Sequence, residues 1–143
     1  MKQNILIADD DPVFRDLMET FYREYDFEVT TANDAMQACM RALHPPLPAL
    51  IVLDIRMPAG SGLTVLQRLR MSNKTKNIPI VAVSADASPT LPDEARKAGA
   101  SEFVLKPVDP EEMRKLTFKL LGLEEMDHLL ASHIPSAAEL RAH

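Results

Sequence analysis

Apolar residues fall along this chain in two alternating rhythms. The short unbroken run Leu50–Leu53, flanked by turn-forming residues, predicts a strand buried on both faces, and Asn4–Ala8 is a second short β-rich run. Between them the apolar positions recur every three or four residues. Val13, Phe14, Leu17, Met18, Phe21 and Tyr25 predict one apolar stripe on a helix over about 12–24. Asp11 is its expected N-cap, and Pro12 sits in the first turn, where a missing N–H costs nothing. A weak strand over Glu28–Thr31 follows, then a second helix capped by Asn33 and reaching Leu43. His44-Pro45-Pro46-Leu47-Pro48 stops that helix, because proline cannot continue it. After the run ending at Asp54, Ala59-Gly60-Ser61-Gly62 reads as a flexible loop, and Leu63, Leu66 and Leu69 mark a third helix. Ile78–Ser84 reads as another buried strand. Pro92 opens a short fourth helix running to Ala98, and Gly99 suits its left-handed end. Glu102–Leu105 is a short strand. Asp109-Pro110-Glu111-Glu112 has the form of a capping box for a fifth helix over about 110–121, expected to bury Met113, Leu116 and Leu120.

Five β–α repeats in succession predict an α/β fold, a doubly wound parallel sheet covered by helices on both sides. The length of 143 residues suits one domain with a proper core and leaves little room for a second. A net charge of −5 argues against a nucleic-acid-binding surface. No apolar run approaches the ~20 residues of a membrane span, and the N-terminus shows no signal-peptide core, so a cytoplasmic location is expected. Cys39 is the one cysteine, which rules out an intrachain disulfide and fits a reducing compartment. It shares a helical face with Ala35, Ala38 and Ala42 and is expected to be a small core residue. Met57, Met71 and the other methionines are expected to be core filler.

Chemistry concentrates at strand ends. Asp9 and Asp10 follow the first run, Asp54 the third, Ser84 the fourth and Lys106 the fifth. Alone, Asp54 is as readily a turn residue as a ligand. In a parallel sheet, however, all these ends open on one edge, where α/β proteins place their sites. Two carboxylates about 5 Å apart at an effective dielectric near 20 repel by on the order of 3 kcal/mol. Lys106 can offset part of that repulsion. A hard divalent cation with oxygen ligands can offset the rest, and Mg²⁺ suits few protein ligands best.

Ile5-Leu6-Ile7-Ala8-Asp9-Asp10-Asp11-Pro12, Leu53-Asp54-Ile55-Arg56-Met57-Pro58, Ser84-Ala85, and Ala98-Gly99-Ala100 leading to Lys106-Pro107 together resemble the CheY-like receiver domain of two-component response regulators. The resemblance covers about residues 2–121 and implies a flavodoxin-like (βα)5 sheet of order 2-1-3-4-5. It implies that Asp54 is the phosphoacceptor, that Asp10, Asp54 and the backbone carbonyl of Arg56 ligate Mg²⁺, and that Asp9 acts through a metal-bound water. Ser84 and Lys106 would contact the phosphoryl oxygens, and Lys106-Pro107 would be a cis peptide. Phosphorylation would draw Ser84 inward with the aromatic Phe103 following, altering the surface of the fourth helix, fifth strand and fifth helix. Phe103 lacks the hydroxyl of the tyrosine often found there, so a bias toward its buried position is expected. The implied phosphodonor is a sensor histidine kinase or a histidine phosphotransfer protein, and the implied reader is an effector protein or output domain. Direct nucleic-acid or membrane binding is not expected, and a phosphorylation-linked dimer stays open.

Arg56 and Asp86, two residues beyond Asp54 and Ser84, are expected at the site's mouth, where pairing would shield an acyl phosphate from water. Pro89 and Pro92 are expected to shorten the start of the fourth helix. Two alternatives remain: a small Mg²⁺-dependent phosphohydrolase with an aspartyl-phosphate intermediate, and a phosphorylation-independent pseudo-receiver. Haloacid-dehalogenase-type enzymes carry Asp-x-Asp on the first strand, whereas here the candidate nucleophile is on the third and Arg56 lies two beyond it. Pseudo-receivers usually lack an acid-site residue, and none is missing. Residues 122–143 lie beyond the resemblance and read as a helical extension or linker, with Leu123, Met126 and Leu130 at helical spacing. His128 and His133, five apart, do not have the spacing of a metal pair on one helix face.

Overall fold

The computed structural model describes residues 2–57 and 60–126. Leu130, Pro135, His128 and His133 lie outside them, as does Pro58. By compactness the chain divides into Met1–Val108 and Asp109–His143.

The first unit holds five strands: β1 (Asn4–Ala8), β2 (Glu28–Ala32), β3 (Leu50–Asp54), β4 (Ile80–Ser84) and β5 (Glu102–Leu105). All pair in parallel in the order β2-β1-β3-β4-β5. Every residue of β3 and β4 is buried, as expected of central strands covered on both faces. Alternate residues face opposite sides of a sheet. Leu6, Ala8, Ile51 and Leu53 accordingly join one core with the inward residues of α2 (Ala35–Leu43), α3 (Gly62–Met71) and α4 (Leu91–Ala98). Against β1 and β2 lies α1 (Pro12–Glu24), capped by Asp11, whose side chain accepts from the Val13 N–H.

The second unit's described helix, α5 (Pro110–Leu120), starts from an Asp109 cap that accepts from the Glu111 N–H at 3.3 Å. The cap thus takes the Glu111 N–H rather than the Glu112 N–H of the expected capping box, and the Glu111 side chain pairs with Arg114 at 3.2 Å.

Several expectations need correction. The buried stripe of α1 is Phe14, Met18 and Tyr22, while Val13 and Leu17 are 65% and 64% exposed. The apolar positions of α1 span more arc than one sheet face can cover, so one ridge stays outside. The cap of α2 is Asp34, which accepts from Gln37 N at 2.8 Å, while the Gln37 side chain accepts from Asn33 N. β4 begins at Ile80, two residues late. Residues 113, 114, 117 and 118 are the buried ones of α5, and Leu116 and Leu120 are only half-buried. Met57 is buried, but Met36, Met40 and Met71 are 65%, 65% and 85% exposed. Cys39 is half-buried, its thiol pKa raised by burial against an opposing Arg68. Besides the expected cis Lys106-Pro107, Pro45-Pro46 is also cis.

At the opposite sheet edge Arg70 ties three segments together. Its Nε donates to the Gly99 carbonyl at 2.8 Å, and its Nη1 donates to the Ile78 and Lys76 carbonyls at 2.7 and 3.1 Å. Gly99 ends α4 at φ 119, and any Cβ there would collide with Arg70 Cγ. Gly99→Ala should therefore suffer both backbone strain and a clash, costing roughly 1–3 kcal/mol of unfolding free energy. Urea denaturation of the variant beside wild type measures this.

Candidate functional site

The polar residues singled out at the strand ends meet on one edge of the sheet. Asp9, just past β1, is fully buried. One of its carboxylate oxygens accepts the Asp11 N–H at 2.9 Å, and the other accepts the Lys106 ammonium at 2.6 Å. Asp54 closes its own turn in the same way, accepting the Arg56 N–H at 2.9 Å, while its second oxygen faces Lys106 at 3.4 Å. Ser84 repeats the pattern: its buried hydroxyl oxygen accepts the Asp86 N–H at 3.0 Å. Short polar side chains favour such bonds to the backbone two residues on. The strand ends are thus locally stapled, which fixes where each carboxylate and hydroxyl points.

Lys106 leaves β5 with its backbone N–H on the Ser84 carbonyl at 2.8 Å. Its side chain crosses to β1 and β3 and lays the ammonium 4.2 Å from the centre of the Phe14 ring. Asp10 is exposed. One carboxylate oxygen from each of Asp9, Asp10 and Asp54 lies within 4.8 Å of the others. Arg56 and Asp86 both reach the mouth, as their offsets from the strand ends predict, and they pair there at 2.8 Å. Phe103 is half-buried against the core on β5, and its neighbour in register is Ala82 of β4.

The electrostatics follow from burial. Burial pushes the Asp54 carboxyl up to about 6, with Asp9 adding to the rise and the Arg56 N–H and Lys106 opposing it. For Lys106, burial would lower the pKa. The hydrogen bond to Asp9 and the charges of Asp54 and Asp9 outweigh it, so the ammonium is held above its usual range. One ammonium cannot neutralise three carboxylates. The donor set is all hard oxygen and half-open through Asp10, which fits a divalent cation of the Mg²⁺ kind.

Two contributors escaped the sequence reading. Gly62, read there as part of a flexible loop, is buried, and a Cβ on it would lie 2.6 Å from both the Asp54 carbonyl oxygen and Ile55 Cα. Only glycine lets α3 start this close to the strand that presents Asp54. By its spacing Phe14 is one more residue of the α1 stripe, and no spacing rule indicates that its ring meets the lysine.

A family model for the response regulator receiver domain matches residues 5–118. The chain belongs to the response regulator receiver family. It is a receiver domain of two-component signalling, and its relatives agree. An uncharacterised 14.6 kDa protein of Leptolyngbya boryana is 34% identical over 80% of this chain and 87% of its own length. The response regulator Rre1 of Synechocystis is 31% identical over 85% of this chain, and the transcriptional regulatory protein AruR of Pseudomonas aeruginosa 32% over 99%. The receiver spans only 53% and 57% of those two relatives. Among solved structures, the chemotaxis response regulator CheY4 of Vibrio cholerae superposes with a TM-score of 0.77 at 26% identity, covering 84% of this chain and 99% of that one. The receiver domain of the Pseudomonas aeruginosa sensor histidine kinase PA1611, solved with magnesium coordinated in its active-site cleft, gives 0.78 at 25% identity over 85% and 99%. No helix among the described residues is long and apolar enough to cross a membrane.

The raised Asp54 pKa has a consequence for stability. A carboxyl that ionises near its ordinary value when unfolded and at about 6 when folded contributes stability that is complete below pH 3.8 and lost as pH rises through 6. Asp54→Asn has no such titration. With EDTA present, the variant should gain on wild type by on the order of 2–3 kcal/mol between pH 4 and pH 7. Paired thermal melts across that range measure it, and a constant difference would remove burial as the controlling influence.

Proposed function

We propose that Asp54 is the phosphoacceptor of this receiver, charged by a phosphohistidine on a sensor histidine kinase or a histidine phosphotransfer protein. The observation that carries this reading is Lys106 reaching from β5 to both Asp9 and Asp54 within a three-carboxylate cluster. An Asp54 oxygen attacks phosphorus, the P–N bond breaks as the O–P bond forms, and the imidazole nitrogen leaves with the electron pair. Lys106 turns its ammonium from Asp54 to the transferred oxygens. Ser84 accepts from Asp86 and keeps its O–H to donate to one of those oxygens. Asp10, Asp54 and the backbone carbonyl of Arg56 would hold Mg²⁺, with Asp9 behind them. A bound ion supplies positive charge beside the phosphoryl group. The chemistry is self-phosphorylation and slow hydrolysis, not turnover of a free substrate.

As the switch, Ser84 moves toward the phosphoryl group and Phe103 follows, changing the face where α4 lies on β5. An effector or output domain reads that change. The exposed ridge of Val13 and Leu17 on α1 flanks the site and suits a helical phosphodonor. Residues 1–121 form the receiver, 122–143 an extension, and the chain works in the cytoplasm.

Incubation with Mg²⁺ and acetyl phosphate should add one phosphoryl group to wild type and none to Asp54→Asn, read by intact mass. Equal labelling of both would sink the assignment. Mg²⁺ alone should raise the wild-type melting temperature, since it binds only the folded chain.

The Arg56–Asp86 pair screens the acyl phosphate from water. An exposed pair is worth up to ~1 kcal/mol, so Arg56→Ala should shorten the phosphate lifetime by up to about fivefold. An unchanged lifetime would dispose of that role.

A further inference from the structure

Away from the phosphorylation site, charge is divided unevenly over the chain. From Ala35 to Ala85 the only acid is Asp54, which is buried in the site, against six arginines and lysines, in a chain whose net charge is −5. That segment includes α2 and α3. Arg41 and Arg68 are exposed on these two helices and make no ion pair among the described residues. Between them Met36 and Met40, one helical turn apart on α2, are each 65% exposed. Met40 separates two hollows. One, of about 320 Å³, runs between α2 and α3 and is lined by Met36, Cys39, Val65 and Arg68. The other, of about 780 Å³, lies past the end of α2 and is lined by Lys2, Arg41, His44 and Leu47, with Glu28 as its one carboxylate.

We propose that this α2–α3 face docks an acidic amphipathic helix of a partner protein. Met36 and Met40 supply an adaptable apolar ridge, since unbranched thioethers repack around differing side chains. The hollow on each side of Met40 accepts apolar anchors at helical spacing. Arg41 and Arg68 meet the acidic flanks of the incoming helix and select against basic ones. The exposed apolar ridge of Met36 and Met40 favours a protein helix with apolar anchors over a nucleic acid. The surface is distinct from α1 beside the site and from the α4–β5 face, so a partner here leaves both available.

The test uses the full chain and two labelled synthetic peptides of about 16 residues, with leucine at helical spacing and either glutamate or lysine elsewhere. The glutamate peptide should bind, with affinity falling as salt rises, and should shift amide resonances of α2 and α3. The lysine peptide should not. Arg41→Glu with Arg68→Glu, or Met36→Gln with Met40→Gln, should each weaken binding at least about tenfold. These side chains are exposed, so melting temperature and labelling by acetyl phosphate should stay at wild-type values. Equal binding of the two peptides would overturn the proposal. So would a footprint on α1 or α4–β5, competition by a single-stranded oligonucleotide at α2–α3, or self-association of the chain through that face.

Discussion

Three carboxylates drawn to within 4.8 Å of one another are the constraint around which the sheet edge is arranged. The parallel sheet brings them there, because β1 and β3 are neighbours and all strands point one way. Left alone, such a cluster would oppose folding. Lys106 offsets it from a third strand, and the offset is incomplete: Asp54 still titrates at about 6. The unneutralised remainder gives the edge its affinity for further positive charge. A buried carboxylate with a nearby fixed ammonium and an open acidic mouth suits a group whose own charge must be stabilised as it arrives.

Local geometry makes the arrangement reproducible. Asp9, Asp54 and Ser84 each close a turn on the backbone two residues ahead, so each functional atom is set by its own loop as well as by the core. Gly62 lets α3 begin against the backbone of Asp54 and Ile55, which holds the third strand's exit in place. The register of β4 on β5 sets Ser84 opposite Leu105 and Ala82 opposite Phe103. The hydroxyl and the aromatic ring thus lie on adjacent paired strands, two register positions apart. At the far edge Arg70 binds the carbonyls that the α3–β4 and α4–β5 connections leave unpaired, a rigid base beneath the mobile chemistry.

The outer surface is less uniform than the core. Methionines on α2 and α3 face outward. Long flexible apolar side chains seldom stay exposed in groups without a binding role.

The five strands, the caps Asp11 and Asp109 and the gathering of Asp9, Asp54, Ser84 and Lys106 were legible in the chain, though β4 starts two residues later than its apolar run suggested. Each depends on short-range physics: unbroken apolar runs, capping chemistry, and the rule that parallel strands end on one edge. The arrival of Arg56 and Asp86 at the same mouth was legible for the same reason, being set by equal offsets from neighbouring strand ends, whereas their pairing was decided by the fold. The outward methionines, the exposed side of α1, the ring of Phe14 under Lys106 and the closeness of Gly62 to β3 were not. Apolarity along a helix marks which residues are able to be buried, whereas packing decides which of them a sheet of finite width covers. A glycine in a loop looks the same whether it gives freedom or makes room, and only the neighbouring backbone, far off in sequence, distinguishes the two.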